Sequence, residues 1–136
     1  MKFRGGYKYQ TAERFETYVT SAPPGGETIV TSYLTLTGHA KLTIFEGYAW
    51  DGVSGPAMDT DDSMVPGLVH DALYQLLREG HLDPSYRAEA DRAFYEQCLR
   101  AGMNGMRAKY MYWAVDKFAA FAASPENRKE VREVPD

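Results

Sequence analysis

Between Thr28 and Phe45 apolar and polar residues alternate: Leu34 and Leu36 share one face, Leu42 and Ile44 share another, and Gly38-His39 separates the two runs. A period of two is that of a half-buried strand, and glycine in the gap suits a turn, so the pattern predicts a β-hairpin. Phe15 to Val19, with polar residues before it and Pro23-Pro24-Gly25-Gly26 after it, predicts another strand of the same small antiparallel sheet. The stretch Gly47-Tyr48-Ala49-Trp50-Asp51-Gly52-Val53-Ser54-Gly55-Pro56 then breaks the alternation. Its glycines and proline exclude regular structure over most of its length, and a structured loop is expected.

Beyond Pro66 the period lengthens. Val69, Leu73 and Leu76 follow helical spacing until Gly80, and Asp83-Pro84 has the cap-then-proline form of a new helix start. Ala90, Phe94, Cys98 and Ala101 continue that second helix to Gly102. A third helix is predicted from Met106 to Ala122, with Tyr110, Ala114, Phe118 and Phe121 as its apolar stripe and Met111 and Val115 widening it. Strands first and helices after give an α+β class: a small amino-terminal antiparallel sheet, then a three-helix half containing an antiparallel helix pair. The chain reads as one domain over residues 1–136. Its parts are a β-rich region 1–47, a Gly/Asp-rich loop 48–62, a helical region 63–123 and a charged tail 124–136 that is expected to be frayed or partner-dependent.

Composition narrows the function. With 136 residues, 44% of them hydrophobic, a core is attainable without staples, and the lone Cys98 excludes an internal disulfide. A net charge of −4 argues against nucleic acid as a partner, since no Lys/Arg stripe is available to neutralise phosphates. No apolar run is long enough to span a bilayer, and the start Met1-Lys2-Phe3-Arg4-Gly5-Gly6 lacks the apolar core of a signal peptide.

The candidate chemistry lies in Trp50-Asp51-Gly52, His70-Asp71 and Asp91. Neighbours on a helix diverge by about 100°, so His70 and Asp71 serve different partners. His70 and Tyr74, four apart, share a face that can meet Asp91 on the next helix, while Asp71 points toward the glycine-rich loop. A histidine hydrogen-bonded to Asp91 has a fixed tautomer and can take a proton from water, with the Tyr74 hydroxyl orienting the carboxylate. Asp71 with Asp51 and loop carbonyls, Gly52 included, offers only hard oxygen ligands, which suits calcium or magnesium rather than zinc. No organic cofactor is expected.

Each feature also has a plain structural reading. His70-Asp71 reads equally as a helix cap plus a core histidine, and Arg87 with Asp91, at i and i+4, as a surface ion pair. Asp59 to Asp62 faintly resembles a calcium loop but lacks the glycine and distant glutamate of an EF-hand, so it reads as a solvated loop. Trp50 and Trp113 read as core or edge aromatics, His39 as a turn residue, His81 as helix-end surface and Cys98 as inert core.

Two resemblances follow from these residues. The order Asp51-Gly52-Val53-Ser54-Gly55-Pro56, His70-Asp71-Ala72-Leu73-Tyr74, Arg87 with Ala90-Asp91 and Phe94, then Ala108 to Phe118, resembles the phage-associated domain-of-unknown-function family numbered 1353. The likeness covers about two thirds of the chain and implies a tailed-phage or prophage setting, hence the host cytoplasm or the assembled virion. More distantly, His70-Asp71-Ala72-Leu73-Tyr74 with Ala90-Asp91-Arg92-Ala93 resembles the paired-helix core of secreted phospholipases A2. That resemblance implies a water-activating base at His70, a calcium ligand at Asp71, and Tyr74 and Asp91 holding the histidine. The flanking disulfide cysteines of that family have no counterpart here, and Trp50 to Gly55 stands where its Cys-Gly-rich calcium loop would be.

Three functions are therefore weighed. The first is a divalent-cation-dependent ester or lipid hydrolase using His70, Asp91 and Tyr74 with a cation on Asp71 and Asp51. The second is a non-catalytic phage structural or assembly protein, docking on other phage proteins or on itself, in which the same cluster ties helices to a loop. The third and weaker is a host-directed inhibitor.

Overall fold

The computed structural model describes residues 9–50 and 61–122. Strands β1 (Tyr9–Gln10), β2 (Phe15–Tyr18), β3 (Ile29–Val30), β4 (Leu34–Leu36), β5 (Lys41–Ile44) and β6 (Ala49–Trp50) come first. Helices α1 (Asp61–Arg78), α2 (Arg87–Arg100) and α3 (Gly105–Ala122) follow, with a single 3-10 turn at Pro84–Tyr86 ahead of α2. The class is α+β, as the change of period predicts.

Strands β2 to β5 form one antiparallel sheet in the order β2-β5-β4-β3, and β1 pairs with β6 in a separate two-stranded ladder. In the β4–β5 hairpin Leu34 lies opposite Ile44 and Leu36 opposite Leu42. Directly paired residues point to the same side of a sheet, so the two leucine-rich pairs share one face rather than occupying two. All four are essentially fully buried and form one core with Leu68, Val69, Ala72, Leu73 and Leu76 of α1. Each leucine, isoleucine or valine so removed from water contributes roughly 1.5–3 kcal/mol, so this face of the sheet and α1 hold each other in place.

The hairpin turn is wider than Gly38-His39. Thr37 and Ala40 close it: the Thr37 amide donates to the Lys41 carbonyl at 3.0 Å, the Ala40 amide to the Thr37 carbonyl at 3.0 Å, and Ala40 itself has φ 67°. Gly38 is needed for a different reason, since a Cβ there would lie 2.3 Å from the Gly26 carbonyl oxygen. The short pair β1–β6 falls partly in the stretch expected to be irregular. It forms because Thr11 clamps the chain before β6, exchanging backbone hydrogen bonds with Gly47 and Tyr48 and donating its hydroxyl to the Phe45 carbonyl.

Helix boundaries differ from the sequence reading at their starts and agree at their ends. α1 begins at Asp61, so Pro66 lies inside it, and Asp62 is not part of a solvated loop. Its carboxylate accepts from Arg107 Nη1 of α3 at 2.6 Å, which places an acid in the first turn of α1 where the helix dipole favours it. The Asp83 side chain accepts from the Ser85 amide at 2.9 Å, but what it caps is the 3-10 turn, and α2 starts at Arg87. Both glycine stops hold: the His81 amide reaches the Leu76 carbonyl and the Met103 amide the Cys98 carbonyl, each after a glycine with positive φ. A Cβ on Gly80 would meet nothing within 4 Å, so Gly80→Ala is expected to cost only the left-handed strain at φ 81°, about 1 kcal/mol, read as a lower urea midpoint with unchanged slope.

The buried face of α3 consists of Ala108, Met111, Ala114 and Val115, which pack with Phe94, Cys98 and Met103 in a second core. Tyr110, expected on the apolar stripe, is half exposed, and so is Trp113. α2 thus lies between the two cores, giving Ala90 and Ala93 to the first and Phe94 and Cys98 to the second. No helix among the described residues is long and apolar enough to cross a membrane.

Candidate functional site

The site is set by helix geometry. On α1, His70 turns toward α2 while the adjacent Asp71 turns toward the strands, as a step of about 100° requires. Ala90 and Ala93, small and fully buried, let α2 come close enough for Asp91 to reach both α1 side chains. His70 Nε2 lies 2.8 Å from Asp91 Oδ1, and the Tyr74 hydroxyl donates to the same oxygen at 2.8 Å. The Tyr74 ring stacks obliquely on His70 at 4.3 Å, and Phe94 presents an edge at 5.4 Å. The imidazole is thereby held in one orientation, with 15% of the His70 side chain still exposed against 1% for Asp91.

Electrostatics fixes the protons. Burial alone would raise the Asp91 carboxyl, but the hydrogen bonds from His70 and Tyr74, with the His70 charge interaction, outweigh it and hold the group below its ordinary value. A carboxylate at Oδ1 requires a hydrogen on Nε2, which leaves the Nδ1 lone pair as the basic atom of a neutral ring. Among the described residues Nδ1 has no hydrogen-bond partner. Tyr74 is raised well above its usual range by burial and by the Asp91 charge, so its hydroxyl remains a donor.

Two residues beyond the sequence reading complete the arrangement. Asp116 of α3 receives Arg87, whose Nη2 donates to the Asp116 carbonyl at 3.3 Å and lies 3.6 Å from its carboxylate. Arg87 therefore pairs with Asp116 and interacts with the Tyr74 hydroxyl, and the surface pair Arg87–Asp91 is not what forms. The Asp116 carboxyl is raised, first by its contact with the Asp91 carboxyl and then by burial. Asp91 Oδ2 is buried and, among the described residues, accepts no hydrogen bond, so a proton held on Asp116 would supply the donor that this oxygen lacks.

Tyr48 is the second. Its hydroxyl donates to Asp71 Oδ2 at 2.5 Å and lies 3.4 Å from Gln75 Oε1. The ring is buried beside β6, and its backbone amide donates to the Thr11 hydroxyl at 3.0 Å. Tyr48→Phe is expected to lower the unfolding free energy by about 1–2 kcal/mol, because Asp71 loses a charge-assisted bond at an otherwise unchanged ring; the same urea titration reads it.

Of the other residues singled out in the sequence, Trp50 is buried in the first core and is no surface platform, whereas Trp113 is exposed and belongs to neither core. Asp51, Gly52, Ser54 and Pro56 lie outside the described residues. Among the described residues no group of His, Cys, Asp or Glu converges as three metal ligands. Cys98 is fully buried and its thiol is pushed up to about 12, chiefly by burial, which makes it inert as a nucleophile at neutral pH. His39 is exposed in its turn, and His81, at the end of α1, pairs with Glu79 at 3.4 Å.

Comparison with curated proteins and with solved structures returned no significant match. The match that does exist runs from β3 to the buried face of α3, residues 30–115, and takes in Tyr48, His70, Asp71, Tyr74, Arg87 and Asp91. It is to the model of the family described as "Protein of unknown function (DUF1353)", and the chain belongs to that family.

Proposed function

We propose that this protein hydrolyses an ester or lipid bond, with His70 as the general base. The observation that carries the reading is the 2.8 Å contact of His70 Nε2 with a buried carboxylate, which leaves the basic Nδ1 of a partly exposed ring on the side away from Asp91. In this scheme Nδ1 takes a proton from water as the water attacks the carbonyl carbon, and the tetrahedral intermediate then collapses with cleavage of the ester C–O bond, the departing alcohol oxygen taking that proton back from Nδ1. Asp91 stabilises the imidazolium that forms, and Tyr74 keeps the carboxylate aligned. Arg87 and Asp116 brace the far side of the same acid. The likeness of the His-Asp-x-x-Tyr and Asp pattern to the phospholipase A2 helix pair supports the same roles.

A divalent cation, calcium or magnesium, belongs to the proposal through Asp71, with Asp51 and the Gly52 carbonyl as further oxygen donors. An ionised carboxylate has about four lone-pair sites, so Asp71 can accept from Tyr48 and hold a hard cation together. Bound there, the ion would polarise a substrate carbonyl. Every step above is otherwise performed by the chain's own groups. The setting proposed is that of a tailed phage, in the host cytoplasm or the assembled virion.

A second reading, a non-catalytic phage structural or assembly protein binding other phage proteins or itself, is favoured by one fact. The same contacts tie all three helices, α1 to α2 through Asp91 and α2 to α3 through Arg87 and Asp116. The deciding experiment is turnover of short-chain esters and phospholipid vesicles by the purified protein with calcium or magnesium, alongside calorimetric titration of each ion into wild type and Asp71→Ala. Turnover that His70→Ala abolishes supports the hydrolase. Absence of turnover, or turnover that survives in His70→Ala, leaves the helix-tying role.

A further inference from the structure

The outer face of α3 has a composition that neither core explains. Met106, Tyr110 and Trp113 are 83%, 51% and 54% exposed, and the Tyr110 and Trp113 rings lie 6.2 Å apart. At about 100° per residue these three and Lys117 fall within about 60° of one another, with Lys109 along their edge, diametrically opposite the buried Ala108, Met111 and Val115. Lys109 and Lys117 are both exposed, and among the described residues neither forms an ion pair. Asp116, the nearest acid on the helix, is engaged by Arg87.

From this we infer that the Met106–Lys117 face of α3 docks on an anionic lipid surface. Tyrosine and tryptophan favour the membrane–water boundary, where the ring is buried and its polar end stays wet, and lysines beside them add attraction to anionic headgroups. A protein partner fits less well. Even a fully buried aromatic contributes only about 150–250 Å², so two half-exposed aromatics and Met106 fall far short of the roughly 800 Å² per partner of a stable interface. Lysine is also depleted from such interfaces. The protein's net charge of −4 makes the attachment weak and reversible, dependent on this local patch and on salt. The inference is independent of the chemistry at His70.

The test is flotation of the full-length protein with phosphatidylcholine vesicles prepared with and without phosphatidylglycerol, together with the fluorescence of Trp113 over the constant background of buried Trp50. Binding to the anionic vesicles alone, a blue shift of the emission, and release by high salt are expected. Lys109→Gln with Lys117→Gln should weaken partitioning about 25-fold, since each lysine near an anionic surface contributes roughly fivefold. Trp113→Ser should weaken it about tenfold. All three are exposed positions, and far-ultraviolet dichroism checks that the fold is kept. No binding by wild type overturns the inference, as does equal binding by the variants. So does a concentration-dependent dimer that Trp113→Ser dissolves, which would assign the face to a second copy. His70→Ala should bind vesicles as wild type does, so that failure of the hydrolase reading leaves this result standing.

Discussion

Asp91→Ala is expected to lower the unfolding free energy by about 3–5 kcal/mol, measured by urea titration at neutral pH. Two donors, His70 and Tyr74, end on one oxygen of a side chain that is 1% exposed. Hydrogen bonds to a charged acceptor are each worth about 1.5–3 kcal/mol, and removing the acceptor also strands both donors in a buried gap. Asp91→Asn should cost less, about 1–2 kcal/mol. Its amide oxygen can replace Oδ1 under both donors while its nitrogen takes the place of Oδ2, facing the Asp116 carboxyl, so the contacts survive and only the charge is lost. The pH dependence has a definite sign. The folded-state value of Asp91 lies below its ordinary 3.8, so its contribution is complete above that value and is lost as pH falls through the folded value. Asp116 acts oppositely: its raised carboxyl is protonated first in the folded state, so its contribution grows as pH falls and offsets part of the loss. Wild type and Asp91→Asn should therefore differ at neutral pH, and the gap should narrow as pH falls below the ordinary carboxylate value of 3.8; a gap that widens with acid would contradict the assignment.

Much of this was legible in the sequence because it depends on local rules. The alternation from Leu34 to Ile44 specifies the hairpin, Gly80 and Gly102 terminate helices by accepting positive φ, and the step between His70 and Asp71 separates their partners before any packing is known. What remained hidden depends on how elements dock. The β1–β6 ladder joins two-residue strands some forty positions apart, too short to show a period. On α3 two apolar stripes are present in the sequence, one through Met106, Tyr110 and Trp113 and one through Ala108, Met111, Ala114 and Val115. Contact with Phe94 and Cys98 of α2 selects the second, which turns Tyr110 and Trp113 outward. Asp116 follows from the same docking, and its one advance signal was a lone acid inside an otherwise apolar run. Tyr48 gave no signal, since only the Thr11 clamp aims it at Asp71.

The largest effect on rate is expected at His70. If Nδ1 is the base, His70→Ala should lower turnover of the best ester or phospholipid substrate roughly 10³-fold, the range that a positioned general base contributes. Loss of activity in that variant alone would not separate chemistry from folding, because His70 also ties α1 to α2. Asp91→Asn makes the separation. It keeps the hydrogen on Nε2 and most of the stability, yet removes the negative charge that stabilises the imidazolium when the proton is taken. A rate loss of about 10²- to 10⁴-fold at nearly unchanged stability is therefore the signature of catalysis. Tyr74→Phe should reduce the rate less than about tenfold, since it deletes an aligning contact and leaves both the base and its carboxylate. A cluster that only joins helices predicts a different order, in which any activity follows the unfolding free energies and Asp91→Ala is worst. Measuring kcat/KM and urea stability on the same four variants, His70→Ala, Asp91→Asn, Tyr74→Phe and Asp91→Ala, distinguishes the two orders, and a rate that tracks stability throughout would reject His70 as the base.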